Sequence, residues 1–241
     1  MESFFTFLNT GALLGWSIVL TILLLHQQST LSTTKRINEW VDPFFDVSSD
    51  GRMPLIDLLF FLEALCCIEV TRIAIGQLKG NLILGIVLHM IRITCLLLVL
   101  PNGLSSADYG HNNKYSINPK LFTSILVLFS WSLTEVGRYP MYIFPKSNIA
   151  RNVRLVLPMI TFPIGCAAEA YGAYTVLIEL LTMSDDGNSD NASEDNMLYW
   201  VKIASLGMVL LINGLLGPTM AYPALLKKGM RVLRGNKSKN D

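Results

Sequence analysis

Charge is what this chain has least of, and most exclusions follow from that. Asp, Glu, Lys and Arg make up 15% of the residues, apolar side chains 51%, and the mean hydropathy is +0.45; a soluble domain carries about 25% charged residues. The net charge of +1 is too small to point to nucleic acid as a partner. Histidine is rarer still, with three in the chain. The four cysteines, Cys66, Cys67, Cys95 and Cys166, all fall inside apolar runs. Their spacing is neither that of extracellular disulfides nor that of a metal site, so they read as small packing residues. No metal and no cofactor is expected. A cleavable leader is not expected either: residues 1–7 have no Lys or Arg, and no small-residue cleavage site follows the first apolar run.

What is present is a set of long apolar runs. Spans are read near 8–26, 55–76, 82–100, 121–144, 155–182 and 198–224, close to the roughly 20 residues a helix needs to cross the hydrocarbon core. The expected fold is all-α: a polytopic membrane bundle of six transmembrane helices, one domain over 1–241 with a short basic cytosolic tail. No repeat or low-complexity segment divides it. The longest connector, 26–54, contains Trp40, Pro43, Phe44 and Phe45 and has the composition of an interfacial segment.

Orientation follows from the Lys and Arg outside the spans. With the N-terminus cytosolic, the inner segments hold ten, among them Lys146, Arg151, Arg154, Lys227, Lys228 and Arg231, and the outer loops hold five. The outer loop SDDGNSDNASED has acids and no base. Both termini are therefore expected in the cytosol. The last five residues, KSKND, have lysines third and fifth from the end, which resembles a dilysine signal for return to the endoplasmic reticulum membrane. Of the two sequons in form, Asn236 is cytosolic in this topology and Asn191 lies in a short outer loop.

The charges that do interrupt the runs are the informative ones. An ionisable group at the centre of a membrane helix costs roughly 2.5–3.5 kcal/mol, so it normally faces a bundle interior or a watered cavity. In WSLTEVGRYPMY, Glu135, Arg138, Tyr139 and Tyr142 fall at i, i+3, i+4 and i+7, and Trp131 and Thr134 extend the stripe by a turn. Either Glu135 and Arg138 neutralise each other in a packed interface, or the stripe is the polar wall of a substrate cavity. Pro140 removes an amide there and loosens the helix. In the next run Phe162 and Glu169 are seven apart, two turns on one face, with Cys166 between them and Pro163 and Gly165 beside them. Glu169 has no Lys or Arg within four residues. A buried acid without a local cation suits proton exchange near neutral pH, or hydrogen-bonds to another helix for packing. Glu69 and Arg72 are spaced to pair, and His89 can pair with a distant acid. Glu63, Arg92 and Lys202 have no local partner.

These residues resemble a family, the 3-hydroxyacyl-CoA dehydratases of very-long-chain fatty acid elongation, once called protein-tyrosine-phosphatase-like proteins. Its helix pattern W-S-x-T-E-x-x-R-Y-x-x-Y is matched by Trp131, Ser132, Thr134, Glu135, Arg138, Tyr139 and Tyr142. Asn9, Gly15 and Trp16 are similar to the family's opening, Glu69 and Gly76 to its second span, Arg92 to its third, and Arg154 to the start of its fifth. The phosphatase name implies no chemistry, since no Cys-x5-Arg loop is expected.

The resemblance implies loss of water from a (3R)-3-hydroxyacyl-CoA to give the trans-2-enoyl-CoA, with a Tyr and a Glu in Y-P-x-G-x-x-x-E as the acid/base pair. It also implies acyl-CoA as substrate, the lipid bilayer as surroundings and other elongation enzymes as partners. Pro163, Gly165 and Glu169 match that motif; Phe162 stands where the tyrosine belongs. Arg72 likewise stands where the second span of the family has histidine. Three readings stay open: a dehydratase in which Glu169 acts alone or with Tyr139, Tyr142 or Tyr171; a non-catalytic acyl-CoA-binding or elongase scaffold; and a transporter or channel using the intramembrane charges as a pathway. Glu135, Arg138, Tyr139, Tyr142 and Arg154 are the candidates for the cavity wall.

Overall fold

The computed structural model describes residues 2–31, 43–45, 53–77, 81–105, 118–183 and 194–237. The Asn191 sequon, Trp40 and the last four residues of the tail lie outside them. Among the described residues every regular element is helical. The elements are α1 (Glu2–Leu31), α2 (Pro54–Ala74), α3 (Leu82–Thr94), α4 (Leu100–Ser105), α5 (Pro119–Ile143), α6 (Asn148–Val156), α7 (Pro158–Met183), α8 (Glu194–Leu210) and α9 (Tyr222–Lys237). Wider π-helical segments, Cys95–Val99 and Leu211–Ala221, join α3 to α4 and α8 to α9 without a break.

Local chemistry sets several ends. Met53 and Asn118 are extended residues, each followed by a proline whose missing amide and fixed φ suit the first helical position. The Asn118, Asn81 and Ser147 side chains accept from the exposed amides of Lys120, Leu84 and Ala150. At the far end of α2, Gly76 adopts φ 75, a left-handed conformation that glycine takes without steric cost.

Among the described residues, four helices are long and apolar enough to cross a membrane: Ser3–Gln28, Leu82–Leu104, Asn148–Thr182 and Met197–Leu233. The chain is a membrane protein. The expected spans at 55–76 and 121–144 coincide with α2 and α5, which have membrane-spanning length but carry more charged or hydroxyl groups. Asp57, Glu63, Glu69 and Arg72 lie on α2; Glu135, Arg138 and several hydroxyls lie on α5. The expected span at 155–182 is divided at Leu157, because Pro158 cannot supply the amide that would continue α6. Pro140, by contrast, does not break α5, which runs three residues beyond it.

α5 is the central element. It packs on α1 and α7, with α4 and α6 at its ends, while α2 and α3 pair with each other. Trp16 and Leu23 of α1, Leu59 and Leu62 of α2, Leu100 of α4 and Leu128 of α5 are fully enclosed. Enclosed with them are polar groups that would be costly to bury unpaired: Glu63, His89, Arg92, Ser132, Glu135 and Glu169.

Candidate functional site

The buried polar groups form two clusters that meet at Trp131. In the first, Glu135 on α5 stands between two guanidinium groups. Its Oε1 is 2.7 Å from Nη1 of Arg92, and its Oε2 is 2.6 Å from Nη2 of Arg138. The second contact is an ion pair without hydrogen-bond alignment. Arg92 also reaches Glu63 at 3.5 Å, and Arg138 reaches Glu69 at the same distance. His89 Nδ1 pairs with the other oxygen of Glu63. Three helices are thus tied together by alternating charges, each close to a neighbour of opposite sign. Tyr139 turns its hydroxyl to Cys66 Sγ at 3.2 Å, with Arg138 Nη2 at 3.4 Å donating to it.

The expected pairing of Glu69 with Arg72 is replaced by tertiary contacts. Glu69 faces Arg138, and the Arg72 guanidinium lies 3.7 Å over the ring of Phe5. Cys66 and Arg72 do have Cys-x5-Arg spacing, but both stand on α2, where helical bonds occupy the intervening amides. A phosphate cradle needs those amides free, so α2 offers none. Glu63, Cys67 and His89 bring potential ligand atoms within 4.8 Å of one another, a grouping that spacing alone did not predict. Arg92 beside Glu63 opposes a dication there.

The second cluster surrounds Glu169 on α7. The Trp131 indole donates to its Oε1 at 2.5 Å, and the Asn213 amide donates to its Oε2 at 2.5 Å. The residue is 7% exposed, and among the described residues no Lys or Arg is bonded to the carboxylate. Cys166, one turn earlier, places its thiol 3.7 Å from Asn213 Oδ1. The Arg92 guanidinium lies 5.3 Å from the Trp131 ring centre, so the indole touches both clusters. The α5–α7 contact beneath is close: Ser130 donates to the Thr161 carbonyl at 2.8 Å, Thr134 to the Thr161 hydroxyl at 2.8 Å, and Gly165 faces Ser130.

The stripe read from the sequence is therefore split. Glu135, Arg138 and Tyr139 belong to the first cluster. Tyr142 lies at the end of α5, where the Arg154 guanidinium sits 5.1 Å from its ring centre and also contacts Met141 Sδ at 3.1 Å. Tyr171 is exposed. Phe162 is half-buried, and its ring lies parallel to that of Tyr222, 6.4 Å between centroids and 7° between planes. A small cavity among Asn9, Glu69, Arg72 and Tyr139 has room for about one water molecule. Sequence reasoning missed Asn213 and Tyr222. Asn213 had a signal, as an amide inside an apolar run; Tyr222 had none.

What the arrangement offers chemically is one enclosed carboxylate oriented by two neutral donors, next to a charge network that holds the surrounding helices. Neither a curated protein nor a solved structure matches the chain. A family does: protein tyrosine phosphatase-like protein, PTPLA, is matched over residues 63–235, from Glu63 of the first cluster through Glu169 and into α9. The chain belongs to this family, the membrane-bound very-long-chain 3-hydroxyacyl-CoA dehydratases.

Proposed function

We propose that this chain dehydrates (3R)-3-hydroxyacyl-CoA to trans-2-enoyl-CoA in very-long-chain fatty acid elongation, with Glu169 as its acid/base group. The observation that carries the reading is the setting of Glu169: buried, held by Trp131 and Asn213, and among the described residues bonded to no cation. A carboxylate locked into an ion pair is a poor base, whereas one held by neutral donors in an enclosed site keeps its reactivity and its aim. Glu135 has the opposite setting and serves as an anchor. With Arg138, Tyr139, Tyr142 and Arg154 it forms the polar side of the substrate cavity. The reaction needs a base for the proton alpha to the thioester, and an acid for the departing hydroxyl.

The protein is read as six spans in the endoplasmic reticulum membrane, with α2 and α5 completing the four more apolar helices and both termini in the cytosol. Acyl-CoA is its substrate, and other elongation enzymes are its partners. No metal or cofactor is required by the proton chemistry.

The test is Glu169→Gln in purified protein. The amide keeps the shape and loses the proton exchange, so turnover of 3-hydroxyacyl-CoA should fall by about 10²–10⁴-fold, with the protein still folded. Turnover equal to the wild type would remove Glu169 from the mechanism. A second reading, an acyl-CoA-binding or elongase scaffold, is favoured by Phe162, which has no hydroxyl. It predicts acyl-CoA binding with no turnover by wild type or variant.

A further inference from the structure

We propose that Tyr222 supplies the phenol that Phe162 lacks, so that the acid/base pair of this chain is Glu169 on one helix and Tyr222 on the helix facing it. The inference rests on the dehydratase reading and adds the identity of its general acid.

The two helices are placed in register by two contacts. Glu169 meets Asn213, and Phe162 meets Tyr222. Moving from Glu169 to Phe162 goes backwards along α7, while moving from Asn213 to Tyr222 goes forwards, so the helices run antiparallel. On α7 the step is seven residues, about two turns and roughly 10 Å of rise. On the other helix it is nine residues. In an α-helix, nine residues at about 100° each would put Tyr222 on the opposite side from Asn213. The intervening residues are instead π-helical, Leu211–Ala221. With i→i+5 bonding, at roughly 4.4 residues per turn, nine residues make close to two turns. Asn213 and Tyr222 therefore share the face turned towards α7. The wider helix rises less per residue, roughly 1.1–1.2 Å, so the nine-residue step also spans about 10 Å. Tyr222 arrives at the height of Phe162.

The side chain suits the role. It is half-buried, its ring is parallel to that of Phe162, and among the described residues no hydrogen bond engages its hydroxyl. The other tyrosines near this part of the bundle are occupied or exposed. Tyr139 is bonded to Cys66 and Arg138, Tyr142 lies under Arg154, and Tyr171 is exposed.

The step balances without a further reactant. The Glu169 carboxylate takes the proton on C2, and the C2–H electron pair becomes the second bond between C2 and C3. The C3–O bond breaks, and the leaving oxygen takes the Tyr222 phenol proton and departs as water. The proton then held by Glu169 returns to the Tyr222 phenolate, which restores both groups.

The experiment compares three purified full-length proteins in lipid nanodiscs with a long-chain 3-hydroxyacyl-CoA: the wild type, Tyr222→Phe, and the exchange Phe162→Tyr with Tyr222→Phe. Loss of the hydroxyl alone should lower kcat by about 10²–10⁴-fold while KM changes little. The exchange keeps one Phe and one Tyr in the stacked pair and should return kcat to within about tenfold of wild type. A purely structural tyrosine would give no such rescue. Tyr222→Phe with kcat within about threefold of wild type overturns the assignment, and so does a loss that the exchange fails to restore. A wild type that converts no substrate overturns the reaction itself, an outcome distinct from an active wild type that ignores Tyr222→Phe.

Discussion

Glu135 is 1% exposed and has two guanidinium groups as neighbours, one on its own helix and one on α3. Removing one partner of a buried ion pair costs about 3–5 kcal/mol, because the remaining charge stays buried without its counter-ion. Glu135→Gln strips a counter-ion from Arg92 and Arg138 together. It should lower thermal stability in lipid by several degrees or more, as read by a scan of the purified protein. An unchanged midpoint would mean that Glu63 and Glu69 compensate both arginines by themselves. Only part of this was legible in the sequence. The Glu135–Arg138 contact is local, so i, i+3 spacing revealed it; the Arg92 and Glu63 contacts depend on which helices become neighbours, and spacing carries no such information. Glu69 and Arg72 show the reverse error. The spacing allowed a pair, and tertiary partners, Arg138 for one and the Phe5 ring for the other, took its place.

Helices were legible because uninterrupted apolar stretches of membrane length leave few alternatives; the starts at Asn118-Pro119 and Met53-Pro54 were signals that run length alone did not use. Their internal winding was not. A π segment changes the angle between successive side chains, and in a helix that is apolar on most sides no periodic pattern records the change. Close contact between elements is a related case. A methyl group at Gly165 would collide with the Ser130 hydroxyl, which is already donating to the Thr161 carbonyl. Gly165→Ala should therefore push α7 off α5 at a cost of about 1–3 kcal/mol and disturb the Trp131–Glu169 bond just beyond. Adding Ser130→Ala makes room and should recover part of both stability and turnover. A double variant no better than the sum of the single changes would show that the two residues do not compete for space.

At the scale of the whole molecule, α6 and α9 pack together and bring Arg151, Lys227, Lys228 and Arg231 to one end of the bundle, all exposed. Neither helix contains an acidic residue. The proposed orientation places this basic end on the cytosolic side, as the positive-inside bias favours. Epitope tags at both termini should therefore both be digested when protease is added to sealed microsomes, and the tagged chain should colocalise with an endoplasmic reticulum marker. Digestion of a single tag would mean an odd number of spans. The charge bias could be counted from the sequence; that α6 and α9 touch could not, since it depends on how α7 and the last helix pack.

The first cluster also has a consequence for the order in which the protein is made. Glu63 and Arg92 leave the ribosome well before Glu135, because α2 and α3 precede α5 in the chain. At that stage the 3.5 Å neighbour Glu63 is the only counter-ion from the final network that Arg92 can have. When α5 arrives it brings an acid and a base together, Glu135 and Arg138, so the cluster takes up both without a change in its net charge. Arg92 then gains a second and closer partner at 2.7 Å while Glu63 stays at 3.5 Å, and the early half of the chain becomes fastened to the late half only once the late half exists.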